Sequence, residues 1–143
     1  MVRMAQPHKD YSGTPLPMKL GVREGARVYL AGAPEGFDAL LGPLPPGVQR
    51  LGRADSAMDV VLLFVTQERD LRSRFAKLAA GLDPAGRLWV AWPKKASGLP
   101  TDLDFDTVQR IGLATGLVDN KSASVTEVFQ GLQFVYRLKD RPG

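Results

Sequence analysis

The chain has 143 residues, with 19 Lys and Arg against 15 Asp and Glu, one histidine and no cysteine. That length suits one domain, able to bury roughly 68–70% of its unfolded surface without disulfides or a structural metal. The missing cysteines exclude zinc–thiolate centres and thiol nucleophiles, and a net charge of +4 is too slight to mark a nucleic-acid-binding tail.

The first 17 residues, MVRMAQPHKDYSGTPLP, lack the apolar centre of a secretory signal. No apolar run approaches the roughly 20 residues of a membrane span. A cytoplasmic protein without membrane contact is the expectation, and the lack of cysteine fits a reducing compartment. Residues 1–24 read as an N-terminal arm punctuated by Pro7, Gly13, Pro15 and Pro17, with one helical turn ending near Gly21. Residues 25–143 read as the domain proper.

Residues 27–31 (RVYLA) form the first predicted strand, bounded by Gly25 and Gly32. A turn, GAPEG, leads to a short helix over 37–41, stopped by Gly42 and Pro43. Residues 48–51 give a short second strand. The run DVVLLFV at 59–65 is continuous rather than alternating, as in a parallel strand buried on both faces. Thr66 is placed to cap a helix running to about residue 80, with Leu71, Phe75, Leu78 and Leu82 on one stripe. Asp83-Pro84-Ala85-Gly86 matches a type I turn before another buried strand, RLWVAW at 87–92. A loop over 93–103 precedes a helix capped by Asp104 and ended by Gly116. Residues 117–125 form a weaker strand. In 132–138, Leu132, Phe134, Tyr136 and Leu138 alternate, which predicts an antiparallel strand near a sheet edge. Alternating strands and helices imply a mainly parallel sheet with helices on both faces. Two last strands with no helix between them make that sheet mixed.

Several segments carry a resemblance. RVYLAGAPEG, MDVVLLFVT, DPAGRLWVAWPK and GLQFVYRLK resemble, in order, the first motif, fourth strand, fifth strand and last strand of the class I S-adenosylmethionine-dependent methyltransferases. The resemblance implies a three-layer Rossmann-like α/β fold of about six strands, in the order 2-1-3-4-6-5, with the last strand antiparallel and one helix–strand unit of the family missing. YSGTPLPMKLG, GAPEGF, WPKKASG and TDL also resemble a family of small bacterial proteins of unknown function, which implies no chemistry. The methyltransferase motifs are worn. Gly32 and Gly36 keep the glycine spacing, but Pro34 replaces the middle glycine, removing an amide and fixing φ. No carboxylate ends the second strand, where ribose hydroxyls would be held; Asp55 is the nearest acid. After the third strand comes Thr66-Gln67 rather than an Asn-Pro-Pro-aromatic segment.

Ligands of open α/β sheets bind outside the carboxyl ends of the strands. Residues 32–37, 66–68 and 93–101 should reach that crevice. The candidate ligand-binding residues are therefore Gly32, Pro34, Gly36, Thr66, Lys94, Lys95, Ser97 and Thr101. Lys94 and Lys95, beside hydroxyls, suit an anion, although no G-x-x-x-x-G-K-S/T nucleotide cradle is present. Tyr11, in YSGTPL, reads as part of an arm covering the sheet or folding over the crevice. Asp102, Asp104 and Asp106 imitate a calcium loop but lack its glycine and final glutamate. His8 is the sole histidine, so neither a Ser–His–Asp triad nor a transition-metal site is expected. Trp89 reads as core, and Trp92, at a strand end, as a candidate crevice wall. Arg137, Lys139 and Arg141 lack interleaved aromatics, so specific nucleic-acid binding is not expected.

From the sequence alone the leading expectation is a non-catalytic binding module for a small anionic ligand or a protein partner, without a cofactor. The worn motif argues against S-adenosylmethionine. A methyltransferase with a degenerate cofactor site is the second reading. An assembly protein pairing through the edge of 132–138 is the third.

Overall fold

The computed structural model describes residues 14–137. His8, Tyr11, Ser12, Leu138, Lys139 and Arg141 lie outside them. One six-stranded sheet has the order β2-β1-β3-β4-β6-β5. β1 (Arg27–Ala31), β2 (Gln49–Leu51), β3 (Met58–Phe64) and β4 (Leu82–Pro93) run parallel. β6 (Phe129–Val135) is antiparallel to β4, and β5 (Val118–Ser124) is antiparallel to β6. This is the Rossmann-like, methyltransferase-like arrangement with its closing hairpin. No helix among the described residues is long and apolar enough to cross a membrane.

The centre is the β3–β4 pair, in register from Val60↔Arg87 to Phe64↔Ala91. Val61 and Leu63 join Leu88, Val90 and Trp92 on one face. α3 (Glu68–Ala80) and α4 (Phe105–Leu113) cover that face with Leu71, Phe75, Leu78, Val108 and Ile111. Val60, Leu62 and Phe64 join Trp89 and Ala91 on the other face, under Leu20 of α1 (Leu16–Leu20) and Phe37 and Leu41 of α2 (Phe37–Leu41). Residues 16–22 thus pack into the same core as the strands, and the Trp89 indole N–H donates to the Leu20 carbonyl at 3.0 Å. Each such side chain contributes about 1.5–3 kcal/mol by leaving water, so the double-faced pair dominates stability.

Consecutive parallel strands of one sheet ordinarily need a crossover of about a dozen residues or more, and β2 and β3 lie on either side of β1. Residues 52–57 connect β2 to β3 without a helix, because β2 is only three residues long. Arg27, the first residue of β1, fastens this return. Its guanidinium donates to the Ser56 carbonyl and, at 2.8 Å, to Asp55 Oδ2, and its amide donates to Asp59 Oδ2 at 2.9 Å.

Three local expectations are corrected. Residues 83–86 do not separate two elements: Met58 pairs with Leu82 and Val60 with Arg87, so they bulge from within β4. Asp83 Oδ2 accepts from the Ala85 amide at 2.9 Å inside the bulge. Thr66 does not cap α3. The N-cap residue is Gln67, without a side-chain bond, and Asp102 Oδ1 accepts from the Glu68 amide at 2.7 Å from across the crevice. Finally, β6 lies one strand in from the edge, as the order 2-1-3-4-6-5 implies, and is not itself the free edge that assembly through 132–138 needs. It is hydrogen-bonded to β4 and β5, so assembly through a free edge there has no unpaired strand to use.

Gly112 of α4 lies against Phe134, whose ring stands T-shaped to Phe75 with centroids 5.2 Å apart. A Cβ at Gly112 would overlap the Phe134 ring. Gly112→Ala should therefore destabilise the protein by about 1–3 kcal/mol through overpacking, despite the better helix propensity of alanine. Urea denaturation should show a lower midpoint at an unchanged slope.

Candidate functional site

The carboxyl ends of β1, β3 and β4 open onto three adjoining hollows. The first, of about 380 Å³, is lined by Gly32, Phe64, Val65, Thr66, Asp70, Arg74 and Phe129. The chain leaves β1 through Gly32 with φ of 71°, a conformation that L side chains rarely adopt. A Cβ there would come within 3.0 Å of the Phe64 carbonyl oxygen and 3.8 Å of Arg74 Nη1. Glycine thus keeps open a cradle whose wall is Arg74. Phe37, Phe64 and Phe129 pave the ground beneath, in two T-shaped contacts with centroids 5.0 and 5.1 Å apart.

Arg74 and Asp70 stand one turn apart on α3 and both face this hollow. Arg74 is half-buried and makes no ion pair or hydrogen bond among the described residues. Among the described residues the Asp70 carboxylate has only a 3.9 Å contact to Arg69. Opposite charges side by side without pairing complement a zwitterion.

A second hollow, of about 540 Å³, lies between Pro34, Glu35 and Leu40 on one side and residues 97–100 on the other, with Thr126, Val128 and Phe129 closing it. The third, of about 730 Å³, holds Trp92, Lys94 and Lys95 opposite Asp104 and Asp106. The loop between them begins with a 3-10 turn, Lys95–Ser97. It is tied to β3 by the Thr101 hydroxyl, which donates to the Thr66 carbonyl at 2.6 Å and accepts from the Leu103 amide at 3.1 Å.

The eight residues singled out from the sequence therefore separate. Gly32 and Thr66 share the first hollow, with Thr101 bracing Thr66. Pro34 and Ser97 line the second. Lys94 and Lys95 line the third, where Lys94 Nζ donates to Ser124 Oγ at 2.7 Å. Gly36 has φ of 84° and precedes α2. Arg74, Asp70, Glu35 and Phe129 escaped the sequence reading. Only the four-residue spacing of Asp70 and Arg74 hinted at a shared face.

Asp55 is not at the crevice. The return loop carries it to the amino end of β1, where the Ser56 amide and then Arg27 hold its carboxyl below the ordinary carboxylate range. Asp104 is similarly lowered, first by the Thr107 amide, which donates to Oδ1 at 2.8 Å, and then by the Thr107 side chain.

No protein-family model matches the chain, and no curated protein matches it. Solved structures do share its fold. The PH0226 protein from Pyrococcus horikoshii OT3 superposes with a TM-score of 0.57 at 13% identity, covering 93% of this chain and 92% of that one. A TehB-like SAM-dependent methyltransferase from Corynebacterium glutamicum gives 0.52 at 11% identity, covering 91% and 93%. The magnesium protoporphyrin IX methyltransferase of Synechocystis, solved with bound SAH (S-adenosylhomocysteine), gives 0.52 at 12%, covering 85% and 78%.

These neighbours overturn the order of the readings drawn from the sequence. The non-catalytic binding module gives way to the methyltransferase reading, the expectation of no enzymatic role falls with it, and the argument against S-adenosylmethionine no longer stands. That argument rested on Pro34, on the missing acid after β2 and on Thr66-Gln67 after β3. Of these only Thr66 lines the hollow at Gly32, whose cradle and opposite, unpaired charges among the described residues suit the zwitterionic amino-acid end of that cofactor.

Asp104 supplies a pH test. Its carboxyl has a lowered folded-state pKa, so its stabilising effect is complete above the ordinary value near 4 and is lost as pH falls through the folded value. Asp104→Asn should lower the melting temperature at pH 7, and the gap to the parent protein should narrow steadily below pH 4. Thermal scans from pH 7 to pH 3 check this; a gap independent of pH would refute the assignment.

Proposed function

We propose that the chain binds S-adenosylmethionine in the hollow at Gly32 and serves as a class I methyltransferase-like enzyme. The observation that carries this reading is the half-buried Arg74, unpaired among the described residues, beside Asp70 at a glycine cradle on the tips of β1 and β3. The Arg74 guanidinium would receive the cofactor's α-carboxylate, a pairing whose planar fork suits a carboxylate. Asp70 would take the α-ammonium. Gly32 leaves the space that a side chain would fill, and Phe64 and Phe129 form an apolar wall. When bound, the cofactor supplies a methyl group activated by its sulfonium. Ribose contacts must come from elsewhere than β2, since Asp55 is engaged at the other end of the sheet. The shared fold and the bound SAH in a neighbour support this reading. The absence of cysteine supports a cytoplasmic setting.

Calorimetry with S-adenosylhomocysteine tests it directly. The full chain should bind, and Arg74→Ala should weaken binding at least tenfold, in line with about 1.5–3 kcal/mol for a hydrogen bond to a charged group. Asp70→Asn should cost less. No heat at millimolar ligand, or full affinity in Arg74→Ala, would reject the proposal.

A further inference from the structure

The second hollow has a character of its own. Leu40, Leu99 and Val128 on its rim are 63%, 42% and 38% exposed. Three large apolar side chains converging on one concavity are not the scattered exposure that needs no explanation. The volume of about 540 Å³ lies within the usual range for small-molecule sites. Glu35 is the one ionisable residue among those lining it, so its charge is not answered by a neighbouring lysine or arginine of the same wall. Phe129 is shared with the hollow at Gly32.

We infer that this hollow binds an apolar amine in its protonated form, the hydrocarbon on Leu40, Leu99 and Val128 and the ammonium at Glu35. A carboxylate or phosphate ligand is disfavoured, because it would meet Glu35 with no cation in the wall to offset it. As an amine site the hollow stands on its own geometry; as the seat of a methyl acceptor it rests on the function proposed above. In that role the ammonium gives a proton to Glu35 or water and its nitrogen lone pair takes the methyl group. The sulfur then keeps the electrons of the broken carbon–sulfur bond and becomes a thioether.

The experiment titrates the full chain with phenethylamine and with 3-phenylpropionate, followed by calorimetry and by chemical-shift changes in NMR spectra. Phenethylamine should bind and shift residues 35–40 and 97–100, and 3-phenylpropionate should not. Glu35→Gln should weaken phenethylamine about fivefold, the upper end for an exposed ion pair, and Leu99→Ser should weaken it further through lost apolar contact. Equal binding of both probes, or unchanged affinity in Glu35→Gln, would overturn the inference. So would a dimer, seen by sedimentation, that Leu99→Ser dissolves, since the patch would then belong to a second copy. S-adenosylhomocysteine titrated separately keeps the two proposals apart. Amine binding without it upholds the amine site and sinks the cofactor reading; cofactor binding without amine binding overturns the amine site alone.

Discussion

Burial of β3 and β4 on both faces is the constraint from which the other positions follow. Every residue of β3 except Asp59 is buried, as are Leu88 to Pro93 in β4. A strand closed on both sides must be covered twice, so α3 and α4 go to one face and α1 and α2 to the other. Parallel pairing then puts the carboxyl ends of β1, β3 and β4 at one rim. The Val65 amide bonds to the Ala91 carbonyl and the Lys94 amide to the Val128 carbonyl at that rim. Three loops leave it together, and the hollows between them are where side chains can meet a ligand. The chemistry is therefore placed by the same apolar strands that supply the stability.

Much of this was legible. DVVLLFV and RLWVAW are too apolar to tolerate a wet face, and the closing hairpin fixed the sheet as mixed. β6 shows where alternation misleads. Leu132, Phe134 and Tyr136 alternate with Gly131, Gln133 and Val135, which reads as one wet face. The second face is nonetheless buried. A Cβ at Gly131 would meet Val125 and the Trp89 ring, so glycine there marks close packing. Gln133 is only 3% exposed and donates to Asn120 Oδ1 at 2.8 Å. β5, with its VDNKSAS sequence, takes the edge, where the order 2-1-3-4-6-5 read from the sequence puts it.

The site was less legible, because helical periodicity sorts side chains into inward and outward but says nothing of a helix's first turns overhanging a rim. Arg74 belongs to neither class. It sits beside the inward Leu71 and Phe75 yet faces the hollow at Gly32. The conspicuous pair Lys94-Lys95 drew the reading toward an anion site, but Lys94 bonds Ser124 and Lys95 shares its hollow with Asp104 and Asp106. Adjacent like charges in a sequence are easily noticed, whereas opposite charges brought to one rim by a fold are not.

The short return from β2 to β3 explains the most serious departure from the methyltransferase pattern. A longer crossover after the second strand would have room to leave an acid at the carboxyl rim. Here the chain must go back at once to the amino end of the sheet, and whatever follows β2 goes with it. Asp55 accordingly becomes a staple for Arg27 rather than a ligand for hydroxyls. The missing crossover helix and the missing acid at the rim thus have one structural cause, the short return after β2. In the cofactor reading proposed above, the charges that would meet the ligand at this rim are Asp70 and Arg74 of α3, the helix that packs against the strand pair the fold cannot give up.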